Sequence, residues 1–290
     1  MNRFKYLISY WLFSFFLYLN KFKLFNSLNR ILLDVYLAKI GYCTHFQYII
    51  GKSKNSLFLG EIIFIKKFKK LNILNCIDIG ANIGKYSLEI LKNQNNSRVI
   101  AFEPLPMCCT MLSSILKNYP DRFSYHEIAL SKKNGSTILN YSLEKSGLSS
   151  IETKINEISY VANSNVNKID VITKKLDDFR SDKNFKNIDF IKIDVEGHEM
   201  SVLDGSINFI LEKKIKLIQL EYNLHQLITN STIYMYSQKL TNYKVFQLNL
   251  LDGKLRLVDP LDPLSNLNYL SNFIFIESEY YKNYREILLT

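Results

Sequence analysis

From residue 73 onward, short and nearly unbroken apolar runs alternate with longer stretches in which apolar residues recur every three or four positions. The runs suit strands covered on both faces, and the longer stretches suit amphipathic helices. The pattern predicts strands over 73–79, 98–103 and 123–129, with helices over 84–94 and 105–118 between them. It resumes with a strand over 188–194, a helix over 199–211, a strand over 215–221, a helix over 224–239 and strands over 243–250 and 272–277. This is an α/β order: right-handed crossovers build a mostly parallel sheet with helices on both faces, and ligands collect outside the carboxyl ends of its strands. Residues 130–172 interrupt the alternation and read as a small hairpin excursion, with a mobile loop over 157–168 as the expected wall over a substrate.

The front of the chain has a different pattern. Residues 6–19 (Y-L-I-S-Y-W-L-F-S-F-F-L-Y-L) carry no charge and are bracketed by Arg3, Lys5, Lys21 and Lys23. As a helix, residues 6–20 would reach about 22 Å, short of the ~30 Å hydrocarbon core of a bilayer. No small-residue cleavage site follows, so neither a spanning helix nor a signal peptide is expected. Two readings stay open: a helix buried against the main domain, or a basic, aromatic-rich helix lying in a membrane interface. A second helix is expected within 24–40, and Lys66, Lys67, Lys69 and Lys70 read as a solvated basic face. The division is therefore a basic and apolar helical segment over 1–70 and an α/β domain over 71–290.

Charge sharpens that division. Residues 1–72 hold 12 Lys and Arg against Asp34 and Glu61, while the remainder balances 25 against 25, so the net +10 lies wholly in front of the α/β domain. A nucleic-acid reader would spread its cations along a phosphate track beside the site, and this chain does not. The excess suits peripheral contact with an anionic membrane instead. The 4 cysteines form no C-x-x-C pair, which disfavours a disulfide scaffold or zinc site and fits a reducing cytoplasm. A hydrophobic fraction of 47% with 22% charged residues is that of a folded domain.

The chemistry begins at the first strand exit, I-D-I-G-A-N-I-G-K-Y-S (77–87). Gly80 and Gly84 make a turn in which a ligand can lie against the main chain at a helix start. The spacing matches neither G-x-G-x-x-G nor the phosphate-loop pattern. Asp78 at the strand end would repel a pyrophosphate and attract a cation, and S-adenosylmethionine carries both a sulfonium and an ammonium. Glu103 ends the next strand nineteen residues after Gly84. That is the place from which one carboxylate accepts from both hydroxyls of a ribose.

Further motifs are A-F-E-P (101–104), E-I-A-L-S (127–131), K-L-D-D-F (175–179), I-D-F-I-K-I-D-V-E-G-H-E (188–199) and L-E-Y (220–222). On these residues the chain resembles the FkbM family of S-adenosylmethionine-dependent methyltransferases over roughly 71–278. The resemblance implies a Rossmann-like methyltransferase fold with a seven-stranded sheet whose last strand is an antiparallel edge. Cofactor contacts are expected from Asp78, Gly80, Ala81, Asn82, Gly84, Glu103 and Ala129. The implied reaction is O-methylation of a hydroxyl, of a sugar in a surface glycan or glycolipid precursor. A secondary-metabolite hydroxyl, or a binding module that merely keeps the fold, are the alternatives.

An alcohol acceptor must lose a proton as it attacks, so the enzyme owes the reaction alignment and a base. Asp194 and Glu196 at the strand exit, with Glu221 ending the neighbouring strand, are the candidate catalytic acids. Packed together they would raise a pKa toward a useful base or form an oxygen-rich site open to a divalent metal, though no pattern calls for one. Ser149, Ser150 and His198 are expected to face substrate. Glu199 reads as helix-terminal charge and Asp177 as a cap as readily as a catalytic group. Family members often carry histidine two residues after the glutamate of the L-E-Y motif; here that place is Asn223, with His225 four residues after Glu221.

Overall fold

The computed structural model describes residues 58–164, 167–213, 215–262 and 270–289. The expected helices over 6–19 and 24–40 lie outside the described residues, and among those described no helix is long and apolar enough to cross a membrane.

A first helix α1 (Leu59–Lys66) leads into β1 (Asn75–Ile79), α2 (Lys85–Asn93), β2 (Arg98–Phe102), α3 (Pro106–Asn118) and β3 (Phe123–His126). An excursion follows: β4 (Ala129–Leu130), β5 (Gly135–Tyr141), short 3-10 turns, a one-turn helix α4 (Ser159–Ala162) and β6 (Asn167–Lys174). The main sheet resumes with β7 (Phe190–Ile193), α5 (Glu199–Asp204), α6 (Ile207–Lys213) and β8 (Leu217–Asn223). The chain continues through α7 (Leu224–Ile228), α8 (Ile233–Lys239), β9 (Tyr243–Leu248), β10 (Leu255–Leu257), β11 (Leu270–Glu277) and α9 (Ser278–Leu289).

The sheet order is β10-β9-β11-β8-β7-β1-β2-β3. Its parallel centre, with strand order turning back on either side of β1, is Rossmann-like. It has eight strands, not seven, because short β10 hairpins onto β9. The reversed strand is also not an edge. β11 runs antiparallel to both β8 and β9 and sits between them. Phe273, Ile274, Phe275 and Ile276 are all fully buried, and a strand apolar on both faces belongs inside a sheet. The excursion forms its own three-stranded sheet, β4-β6-β5.

Alternate residues of the central strands feed two apolar clusters. Ile77, Ile191, Ile218 and Phe273 enter one, while Cys76, Phe190, Leu217 and Ile274 enter the other. On the second face a polar row crosses the sheet, with Asp78 opposite Lys192 and Lys192 opposite Gln219. The expected helix over 224–239 is broken into α7 and α8. Asn230 takes a φ of +58° at the break, and the Thr232 hydroxyl accepts from the Met235 N–H at 3.2 Å to start the second helix. Within the expected loop over 157–168, Ile158 and Val161 are buried with Ile155 against Leu224 and Ile228.

Candidate active site

The glycine turn works differently from its sequence reading. Gly80 and Gly84 both have φ of +77°. A Cβ on Gly80 would stand 1.9 Å from the Asp194 carbonyl oxygen, and one on Gly84 would stand 2.4 Å from the Ile115 Cδ1. Gly80 therefore lets the exits of β1 and β7 touch, and Gly84 lets α2 seat on α3. Asn82, also at positive φ, lines the cavity together with Gly80.

Its N–H donates to Glu103 Oε2 at 2.7 Å, and the Leu105 N–H donates to Oε1 at 2.9 Å. Two backbone donors thus aim the carboxylate. Burial pushes the Glu103 pKa up to about 7 against these same two donors. Ser146 Oγ donates to Asn82 Oδ1 at 2.9 Å, so the loop after β5 closes over the turn.

Gly80, Asn82, Glu103 and Ala129 line one cavity. So do Ser149, Ser150, Asp194, Glu196 and His198. Ala81 and Gly84 are not brought to it; Ala81 lies in the apolar cluster behind the turn. Asp78 is not brought to it either. Its Oδ2 accepts from Ser87 Oγ at 2.6 Å, and the cation it faces is the protein's own Lys192. Burial raises the Asp78 pKa, with Lys192 and then Ser87 opposing.

Lys192 is the group that organises the acids. It is 5% exposed, donates to Asp194 Oδ2 at 2.7 Å and lies over the Tyr86 ring at 5.0 Å. Burial alone would lower its pKa, but Asp194, Asp78 and Glu61 together hold it above the usual lysine range. Burial likewise works against ionisation of Asp194, and Lys192 overcomes it, so Asp194 stays below its ordinary value. Glu221 is pushed well up by burial and by the Asp194 charge, and the two carboxyls share a hydrogen bond. Asp194, Glu196 and Glu221 each offer an oxygen within 4.8 Å of the others, a spacing a small cation could bridge.

Glu196 stands at φ +51°, a conformation non-glycine residues rarely hold. Its carbonyl accepts from Ser150 Oγ at 2.7 Å, and its Oε2 lies 2.5 Å from His225 Nδ1. Burial raises the Glu196 pKa, opposed first by His225. Glu199 Oε1 accepts from the N–H groups of Val195 and Gly197 at 3.1 and 3.3 Å, so Glu199 staples the turn from below. Asp177 caps α6 through the Phe209 N–H at 2.6 Å. His198 is fully engaged, with Nδ1 at 2.7 Å from Glu152 and Nε2 at 2.9 Å from Ser131.

Lys192 and Tyr160 escaped the sequence reading, which noted His225 but gave it no role. Lys192 lay inside a quoted motif, and its alternation with Asp194 was the available signal. His225 offered only its spacing from Glu221, and Tyr160 offered none.

A family model described as the methyltransferase FkbM domain matches residues 78–239. Methyltransferase 1 of Beauveria bassiana (strain ARSEF 2860) is 28% identical over 141 residues, covering 44% of this chain and 57% of the relative. Methyltransferase sdnD of Sordaria araneosa is 29% identical over 152 residues, covering 44% of this chain and 59% of the relative. The chain thus spans under two thirds of the length of these curated relatives. Among solved structures, precorrin-6y C5,15-methyltransferase from Geobacter metallireducens GS-15 aligns at TM-score 0.39 and 14% identity, over 75% of this chain and 87% of that one. The human methyltransferase 10 domain containing protein aligns at TM-score 0.37 and 10% identity, over 76% and 82%.

Proposed function

Because the chain belongs to the FkbM methyltransferase domain family, we propose that it is an S-adenosylmethionine-dependent O-methyltransferase acting on a hydroxyl, that of a sugar in a surface glycan or glycolipid precursor. The observation that carries this reading is that Glu103 and the pair Asp194 and Glu196 line one cavity. The residues fit such a donor. Glu103, held by two backbone N–H groups, keeps lone pairs for a ribose diol, and Asn82 sits beside it. When bound, S-adenosylmethionine supplies an electrophilic methyl group on a positively charged sulfur.

The chain's own groups then divide the remaining work. Lys192 keeps Asp194 ionised, so the cavity retains a fixed negative charge suited to a cationic donor. Glu221 keeps its proton and donates to Asp194. Glu196 is the carboxylate left to take the acceptor's proton, and its upward-shifted pKa suits a base. The Ser146 hydroxyl ties the loop after β5 to Asn82 at the cavity wall. The sugar assignment draws on the family resemblance, and the +10 charge of residues 1–72 supports a cytoplasmic enzyme working against an anionic membrane.

The test is incubation of the protein with methyl-labelled S-adenosylmethionine and fractionated cell envelope. Label is expected in a glycan or glycolipid fraction with the parent protein and not with Glu196→Gln, which should still bind the donor. Label appearing equally with the variant would remove Glu196 as the base, and label confined to protein or nucleic acid would sink the acceptor class.

A further inference from the structure

We propose that His225 and Tyr160 are positioning residues for Glu196, with the Tyr160 hydroxyl deciding which imidazole nitrogen carries the proton; this rests on the reading of Glu196 as the base. The chain of contacts is continuous. Glu196 Oε2 lies 2.5 Å from His225 Nδ1, and His225 Nε2 lies 3.0 Å from the Tyr160 hydroxyl. His225 is 1% exposed and Tyr160 43%, so the chain runs from the cavity wall to the surface.

Its polarity follows from what each group can do. An ionised carboxylate only accepts, so Nδ1 must carry the hydrogen that meets Glu196. A neutral ring then has a bare Nε2, and the phenol beside it must donate. Glu196 also lines the cavity, so the imidazole holds a side chain that faces the substrate space. Glu196 sits at positive φ, a conformation that persists only where the surroundings hold it.

An apolar dock holds the clamp together. Ile158 and Val161, flanking Tyr160, are buried together with Ile155, and Leu224 and Ile228 of α7 pack on them. α7 carries His225 and begins at Asn223, whose side chain accepts from the His225 N–H at 2.7 Å. The Tyr160 and His225 rings lie 6.0 Å apart at 30°. The excursion between β5 and β6 is thereby tied to the catalytic turn.

The experiment reads the imidazole proton directly, by nitrogen NMR of histidine-labelled protein at mildly alkaline pH, without substrate. His225→Gln assigns the signal, and Tyr160→Phe is the gentle variant. The parent should show His225 protonated at Nδ1 with Nε2 bare. Tyr160→Phe should mix the two tautomers and lower kcat about 10-fold, at the low end for loss of an orienting partner, with donor affinity and thermal midpoint unchanged. A proton on Nε2 in the parent overturns the proposal, and so does a Tyr160→Phe protein in which either the tautomer or kcat fails to move. If the parent methylates no acceptor, the function falls, while the tautomer readout still decides the hydrogen-bond assignment.

Discussion

Replacing Lys192 with methionine should turn the polar row across the sheet from an asset into a liability that grows with pH. The cation sits 2.7 Å from Asp194, which at an effective dielectric of about 20 is worth roughly 6 kcal/mol of attraction before desolvation is charged against it. Removing one partner of such a buried pair costs about 3–5 kcal/mol, because the other is left uncompensated. Asp78 and Glu61 lose the same counter-charge.

In the parent, the folded pKa of Lys192 lies above its unfolded value. Its contribution is therefore complete below the unfolded value and is lost only as pH rises through the folded one, beyond the neutral range. In the variant, the stranded carboxyls bind protons more tightly folded than unfolded, so stability falls as pH rises from about 4. Urea unfolding at about pH 5.5 and pH 8 measures this. The expected deficit is about 3–5 kcal/mol at the higher pH and clearly smaller at the lower. A variant as stable as the parent at both, or one whose deficit is larger in acid, would refute the claim that Lys192 is the counter-ion of these acids.

Two further outcomes follow from the same geometry. Glu103→Gln puts an NH₂ against either the Asn82 or the Leu105 N–H, and calorimetry should show affinity for S-adenosylmethionine weakened about 10- to 100-fold, as loss of a charged hydrogen-bond partner implies; unchanged affinity would remove Glu103 from the donor site. Burial pushes the Glu199 pKa up to about 7, so the parent loses stability from this group as pH rises from its unfolded value to there, by about 3 kcal/mol. Glu199→Gln keeps an acceptor for the Val195 and Gly197 N–H groups and should flatten that part of the thermal-midpoint profile; a profile parallel to the parent's would contradict it.

The parts legible in the sequence were those written in local pattern. The apolar runs around Ile77, Ile100 and Ile191 marked the strands of the parallel half, and Glu103, singled out by its spacing from Gly84, lines the cavity. What escaped depends on partners far along the chain. The insertion of β11 between β8 and β9 is invisible in residues 270–277 themselves, although their apolarity on both faces argued against an edge. α9 did carry a helical signal, in Tyr280, Tyr281, Tyr284, Ile287 and Leu288 along one side, all placed in or against the core. Asp78 looked like a ligand group because Lys192 is 114 residues away, and only the register of β1 with β7 makes them neighbours. His225 and Tyr160 meet through an apolar dock that no spacing encodes.

The placement of β11 bears on how the protein is made. On the ribosome, β8 and β9 emerge well before the strand that must lie between them, and in the finished sheet the facing margin of each is taken by that antiparallel neighbour. For about the few seconds that synthesis needs at roughly 5–20 residues per second, a gap flanked by open strand margins persists in the nascent molecule. During that interval the half-built sheet is open to capture by another copy or by a chaperone, and β11 acts as the bolt that ends the exposure.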